Sequence, residues 1–325
     1  MRLLVTGGCG FIGSNFIRFV LREYKDTRVI NLDKLTYCGN PENLRDIAGD
    51  ARYSFVKGDI CDKKLIGDLV NEVDILVNFA AETHVDRSIK YPDDFLMTNV
   101  FGVKTLLEAA RKANIARFVQ VGTDEVYGSV PKGLSKEDDP LNTNSPYSAT
   151  KAAGDLLALS YHTTYGLPVV VVRSSNNFGP FQYPEKIIPL FITNLLRGQK
   201  VPLYGNGGNV RDWLFVEDNC RGIDLALRQG KPGQIYNIGG GNLLSNLELT
   251  EKILSMMGKG RESIEYVNDR PGHDRRYALD SSRIKMLGWT PEGDFTGNLE
   301  RTLKWYKANE AWWKPLKDKA EIIEW

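Results

Sequence analysis

The chain is poor in the residues that build metal centres and disulfide scaffolds. It has 325 residues but four cysteines and three histidines. Cys9, Cys38, Cys61 and Cys220 are scattered, with no Cys-x-x-Cys pair, so neither a zinc site nor a disulfide framework is expected. Charge of one sign is missing too. Lys and Arg number 42 against 41 Asp and Glu, and the cations are dispersed, which argues against a nucleic-acid partner. No apolar stretch reaches the length of a membrane span, so no membrane partner is expected. The opening apolar run is five residues and leads straight into glycines, unlike a secretory signal, so cytoplasm is the expected location. Repeats and low-complexity segments are lacking. A chain of this length suits one large or two intimate domains with a substantial core.

What is present is an alternation of strand and helix patterns. Arg2 to Thr6, Arg28 to Leu32, Tyr53 to Val56, Asp74 to Ala81, Arg117 to Val121 and Val169 to Val172 read as strands. Helical patterns lie between them, notably Phe11 to Leu21, Asp94 to Lys112 and Tyr147 to Tyr165. The expected fold is α/β, a Rossmann-type doubly wound parallel sheet with ligands at the carboxyl ends of the strands. Beyond about residue 174 prolines and glycines increase and helices shorten. We therefore expect a dinucleotide-binding domain over residues 1–174 and a smaller mixed α/β substrate lobe over 175–325. The chain is expected to return to the first domain near 213–240. The carboxyl-terminal aromatics Trp305, Tyr306, Trp312 and Trp313 read as packing.

The first turn carries a cofactor signal. Gly7, Gly10 and Gly13 follow the first strand and open a helix, allowing a tight turn and close backbone approach to a pyrophosphate. Their spacing is Gly-x-x-Gly-x-x-Gly rather than Gly-x-Gly-x-x-Gly. Asp33 closes the second apolar run twenty residues after Gly13, where an acid meets adenosine ribose hydroxyls. An acid there repels a 2′-phosphate, so NAD is expected over NADP.

Two further segments carry chemistry. Tyr147 and Lys151 stand at i and i+4 on one helix face, and a cation there can hold a phenol partly ionised. Thr123-Asp124-Glu125 places two adjacent carboxyls at the end of the fifth strand. A base for oxidation plus an acid/base pair suits an enzyme that oxidises, eliminates and reduces in one site.

These segments resemble the extended short-chain dehydrogenase/reductases, and more narrowly the dTDP-glucose 4,6-dehydratases. The likeness runs nearly end to end, through residues 6–13, 80–89, 123–128, 144–151, 175–182, 184–190 and 269–277. It implies that Tyr147 takes the sugar C4 hydroxyl proton while hydride moves to NAD, with Thr123 bonding that oxygen. Glu125 then removes the C5 proton and Asp124 protonates the departing C6 hydroxyl. Hydride returns to C6 and Glu125 reprotonates C5. By the same resemblance Phe11, Ile12, Lys34, Thr36, Asp59, Ile60, Phe79, Ala80, Ala81, Thr98 and Asn177 join the glycines, Asp33, Tyr147 and Lys151 around the cofactor. The nucleotide sugar falls to Thr83, His84, Thr123, Asn176, Lys186, Ile187, Pro202, Tyr204, Arg211, Asn246, Arg270 and His273. A homodimer is implied, formed through a helix bundle by the helices near 94–112 and 147–165. Thymine against uracil stays open. Two other functions stay open: a sugar-nucleotide 4-epimerase, which needs Tyr147 and Lys151 but not the Asp-Glu pair, and a non-catalytic NAD-sensing protein, which needs only the glycine turn.

Departures from the family pattern are few. Cys9 stands for the common alanine. Gly122 stands where serine or threonine is usual. Phe178 and Phe181 replace frequent tyrosines, which would remove two hydroxyls near the substrate entrance.

Overall fold

Short runs of β-branched residues set the sheet that organises the chain. The computed structural model describes residues 1–269 and 272–319. In chain order the first half runs β1 (Arg2–Thr6), α1 (Phe11–Glu23), β2 (Arg28–Asp33), β3 (Tyr53–Lys57), α2 (Lys63–Val70), β4 (Ile75–Asn78), α3 (Val85–Lys90), α4 (Pro92–Leu96), α5 (Val103–Ala113), β5 (Arg117–Thr123), α6 (Pro146–Tyr165) and β6 (Val169–Ser174). The second half runs β7 (Asn176–Phe178), α7 (Ile187–Leu196), β8 (Val201–Tyr204), β9 (Val210–Phe215), α8 (Val216–Gln229), β10 (Ile235–Ile238), β11 (Leu243–Ser245), α9 (Asn246–Met256), β12 (Ile264–Val267), α10 (Ser282–Lys285), α11 (Phe295–Ala308) and α12 (Glu310–Lys319).

Seven strands form one parallel sheet in the order β10-β6-β5-β4-β1-β2-β3. The order reverses at β1, whose neighbours are β2 and β4, and the crevice above that reversal is where such sheets take ligands. The strands are apolar on both sides because helices cover both faces. Val169, Val170, Val171 and Val172 are all fully buried. One face packs against α1 and α8 through Phe16, Ile17, Val20, Cys220 and Ile223. The other packs against α2, α5 and α6 through Ile66, Leu106, Leu107, Ala158 and Tyr161.

The chain leaves the sheet after β6 and comes back. β7, β9 and β11 form a three-stranded mixed sheet, and β8 pairs with β12. α8 then returns to pack on α1, and β10 adds to the main sheet with Ile235 opposite Val171. The second lobe has its own core, built on Phe191, Ile192, Trp213, Leu249, Leu299 and Trp313. Trp305, Tyr306 and Trp312 pack there as well, so the terminal aromatics are structural. Trp312 also reaches back, its Nε1 donating to Asn43 Oδ1 at 2.9 Å.

Two elements differ from the sequence pattern. The fourth strand ends at Asn78 instead of Ala81. Its continuation passes under the glycine turn, where a Cβ on Gly7 would lie 2.6 Å from the Ala80 nitrogen. The helix expected from Asp94 is interrupted by a π-helical stretch over Met97–Gly102. There Asn99 bridges to the loop after β4, accepting from Glu82 N at 2.9 Å and donating to Glu82 O and to Thr150 Oγ1, both at 3.1 Å. Such wide turns often sit beside functional sites, and this one presents Thr98 to the cleft. Phe178 also departs from expectation. It is buried in the lobe core between Phe215 and Phe295, and only Phe181 lines the cleft.

Candidate active site

A cleft of about 1260 Å³ lies between the strand ends and the second lobe. That exceeds the roughly 300–1,000 Å³ of a single small-ligand pocket, so it has room for two bound molecules. Every site residue expected from the sequence lines it except Arg270, which lies outside the described residues. Gly7, Gly10, Phe11, Ile12, Gly13, Asp33, Lys34, Thr36, Asp59, Ile60, Phe79, Ala80, Ala81, Thr98 and Asn177 gather in one half. Thr83, His84, Asn176, Lys186, Ile187, Pro202, Tyr204, Arg211, Asn246 and His273 line the other, with Thr123, Asp124, Glu125, Tyr147 and Lys151 between them.

The first half is a cradle of backbone. Gly7 has φ +72°, and a Cβ on Gly13 would lie 2.4 Å from the Gly7 carbonyl, so side chains are excluded from the turn. Gly10 caps α1 without any side-chain hydrogen bond, leaving the first amides and the positive end of the helix open to an anion. Asp33 accepts from Cys9 N and Leu35 N, each at 2.8 Å, one on each carboxylate oxygen. Each oxygen keeps capacity for a further donor. Burial pushes the Asp33 carboxyl up, and those two amides oppose the push. Lys34 and Asp59 close the rim as an ion pair at 2.8 Å.

The centre is built by two neighbouring element ends. β5 and β6 run in register, with Thr123 opposite Ser174. The Thr123 hydroxyl accepts from Glu125 N at 3.3 Å, capping a single 3₁₀ turn over Asp124–Tyr127 that fixes both carboxyls at the strand end. α6 starts on Pro146 behind a Ser145/Ser148 capping box, which holds Tyr147 in its first turn and Lys151 in the next. Burial pushes the Asp124 carboxyl well above its usual range, helped by Glu125 and Asp212. Burial thus favours the protonated, proton-donating form of Asp124. Its Oδ2 is buried with no hydrogen-bond partner among the described residues.

The phenol is not ionised as the i, i+4 spacing suggests. Burial and the adjacent Glu125 push Tyr147 up, with a Thr123 hydrogen bond opposing. The Lys151 ammonium donates instead to the Val121 carbonyl at 2.6 Å. Burial pulls Lys151 down, opposed by Asp155. The physical reason is a shared low-dielectric floor, in which a carboxylate at Glu125 and a phenolate at Tyr147 are mutually unfavourable.

The second half offers an unpaired acceptor and cations. Asn176 Oδ1 is buried without a partner among the described residues, as is Asn177 Oδ1 on the cofactor side. The Arg211 guanidinium stacks 4.4 Å over the Tyr277 ring and donates to the Asp274 carbonyl at 3.0 Å. His84 has φ +83° and its Nε2 lies 3.9 Å from Glu185 Oε1. Residues that sequence reasoning passed over also line the cleft: Tyr37, Glu82, Glu185, Tyr277 and Lys317. Glu185 and Tyr277 lie inside segments 184–190 and 269–277, which already carried the resemblance, so the signal was present and unused. Tyr37 and Lys317 carried none. No cluster of metal-ligating side chains occurs among the described residues.

The profile described as GDP-mannose 4,6 dehydratase matches residues 4–302. The chain belongs to that family. Its relatives include the dTDP-glucose 4,6-dehydratase of Streptomyces niveus, 54% identical over 99% of this chain and 97% of that one. The structure of the dTDP-glucose 4,6-dehydratase of Streptomyces venezuelae with NAD and dTDP bound is 52% identical, with a TM-score of 0.95 over 97% of this chain and 100% of that one. The Bacillus anthracis enzyme in complex with NAD is 50% identical, with a TM-score of 0.91 over 97% of this chain and 99% of that one. The fold of this family member is thus the Rossmann-type α/β sheet read from its sequence.

Asp212 provides a test of the buried floor. Burial raises its carboxyl from 3.8 to about 6. A carboxyl whose pKa folding raises is protonated in both states well below 3.8, and stability falls as pH rises from there to about 6, above which the loss is complete. Asp212→Asn should therefore gain stability relative to the parent chain between pH 4 and 7, by roughly 3 kcal/mol for a shift of that size. Urea denaturation at both pH values measures it, and a constant difference would show that Asp212 stays ionised.

Proposed function

We infer that this protein is an NAD-dependent dehydratase that converts dTDP-glucose to dTDP-4-keto-6-deoxyglucose. The observation that carries the reading is the Thr123-Asp124-Glu125 turn facing Tyr147, with burial favouring the protonated form of Asp124 and Glu125 acting on the phenol. A 4-epimerase needs no such pair, and an NAD-sensing protein would have no use for it. The relatives with 50–54% identity carry the same assignment.

NAD fits the glycine cradle, the open α1 terminus and Asp33, and when bound it accepts the C4 hydride and later returns it to C6. The chain's own groups handle protons. Tyr147 takes the C4 hydroxyl proton, and Thr123 donates to that oxygen. The ketone acidifies C5. Glu125 removes the C5 proton, Asp124 gives its proton to the leaving C6 hydroxyl, and water departs. Glu125 then returns a proton to C5. Transfers of this kind contribute about 10²–10⁴-fold each. Tyr147 takes the C4 hydroxyl proton as the phenolate, an ionisation that burial and Glu125 oppose and the Thr123 hydrogen bond favours. The proton it gains from C4 makes good the one Asp124 gives to the leaving hydroxyl, so the protein's protons balance over each turnover.

The nucleotide sugar lies in the second half, with the diphosphate near Arg211, Arg270 and His273 and the base beside Pro202 and Tyr204. We assign the dinucleotide to residues 1–174 and the sugar nucleotide chiefly to the lobe. A homodimer fits the surface. Leu96, Met97, Phe101, Leu156 and Tyr165 are exposed along the α4–α5 stretch and α6, apolar side chains that a bundle across a two-fold axis would cover. No helix among the described residues is long and apolar enough to cross a membrane, and the cytoplasm is the location that fits a sugar-nucleotide enzyme with free cysteines.

Three measurements test these assignments. With dTDP-glucose in heavy water, Glu125→Gln should form the 4-keto hexose yet show no deuterium at C5, whereas Asp124→Asn should exchange C5 but lose water at least about 100-fold more slowly. If Glu125→Gln exchanges C5 at the parent rate, the base is another residue. Asp33→Ala should weaken NAD binding and narrow the preference over NADP, read by titration of both. Light scattering at micromolar concentration should give twice the chain mass, and a monomer would remove the dimer.

A further inference from the structure

Below Lys151 lies a buried polar network that the reaction scheme leaves unused. Tyr147, Lys151 and Asp155 occupy i, i+4 and i+8 of α6, and Asp155 is fully buried. Arg173 Nε donates to Asp155 Oδ2 at 2.9 Å. Arg173 Nη1 donates to Tyr127 Oη at 2.9 Å, and Tyr127 Oη donates to Asn237 Oδ1 at 2.9 Å. Asp155 Oδ1 accepts nothing from any described residue. From the opposite strand, Gly122 closes over this carboxylate. A Cβ at position 122 would lie 2.8 and 3.0 Å from its two oxygens. No serine or threonine, the residues usual there, would fit without moving it.

We propose that Asp155 is a positioning residue that keeps the Lys151 ammonium charged, with Gly122 leaving the room its carboxylate occupies. A buried lysine without a counter-charge loses its proton as pH rises far sooner than one in water. The charged and titratable groups around Lys151 are few. On α6 they are Tyr147 and Asp155; on the β5 turn, Asp124, Glu125 and Tyr127; on β6, Arg173; on β9, Asp212. Burial pushes the Asp124 carboxyl up, and Glu125 acts on the phenol. Burial pushes the Asp155 carboxyl up too, but there Arg173 and then Lys151 oppose the push, so Asp155 is the acid whose charge these two cations favour. Lys151 makes no direct ion pair among the described residues. Its single hydrogen bond goes to Val121 O. Asp155 therefore acts through the field, and its free Oδ1 is the oxygen not committed to Arg173. Asp155 touches neither the substrate nor the cofactor.

The kinetic arm of the test rests on the dehydratase reading; the spectroscopic arm does not. In the full-length protein, ¹⁵N NMR of the lysine nitrogens, with the Lys151 signal assigned by its loss in Lys151→Arg, gives the titration of that ammonium without turnover. In Asp155→Asn the titration should move to lower pH by about one pH unit or more. With dTDP-glucose, the alkaline loss of kcat should move down in parallel while KM changes less than about threefold. Gly122→Ala keeps the Asp155 charge but sets a Cβ 2.8 Å from the Oδ2 that accepts from Arg173, so it displaces the carboxylate and should move both in the same direction, and it decides the matter if Asp155→Asn does not fold. A Lys151 titration that stays put in the folded variants, with kcat merely lower, would make Asp155 a packing residue and overturn the proposal. Absence of any product from the parent chain would strike the dehydratase reading alone.

Discussion

The active centre depends on the burial of ionisable groups at the carboxyl ends of β5 and β6. Water would leave Asp124 an anion and Lys151 an easy cation, as it leaves most surface residues. Under the second lobe the same groups sit among valines and backbone carbonyls, and the preferred charge states reverse or compete. The Asp124 carboxyl is pushed well up, that of Asp212 up to about 6, and Tyr147 resists ionisation. The sheet makes this possible because its strands are covered on both faces, so its ends open only into the cleft.

The cofactor half works by a different economy of means. Its specificity lies in what is missing: no Cβ at Gly7, Gly10 or Gly13, and no side-chain cap on α1. Asp33, the acid to which we assign the choice of NAD, is held by two amides before any ligand arrives. Rigid backbone on one side and poised charges on the other divide the cleft between holding a dinucleotide and moving protons.

Much of this was legible in the chain because the decisive signals are local. The glycine turn with Asp33 after the next strand, the Thr123-Asp124-Glu125 triplet and the Tyr147/Lys151 spacing each lie within one element or its cap. The parallel sheet covered by helices on both faces followed from alternation; its strand order did not. What sequence could not show is depth. The i, i+4 rule puts an ammonium near a phenol but is silent about the Val121 carbonyl that takes it, or about Glu125 on the next strand. The π-helical stretch over 97–102 is likewise a tertiary effect, fixed by Asn99 reaching a loop seventeen residues earlier. Asp212 and Tyr277 come into the site only because the lobe folds back over it.

The way the chain leaves and re-enters the sheet has a mechanical consequence. The first of the lobe's strands leaves from the end of β6, and the last segment before the return, β9 into α8, re-enters beside it, so β10 pairs with the very strand from which the excursion began. The chain then crosses again, from β10 into β11 and α9, returns in α10, which packs on β10, and leaves once more into α11, which joins the lobe core. The lobe is therefore stitched to the sheet at several points rather than hung from one, and each added crossing removes a direction in which Arg211 and Tyr277 could shift relative to the strand ends.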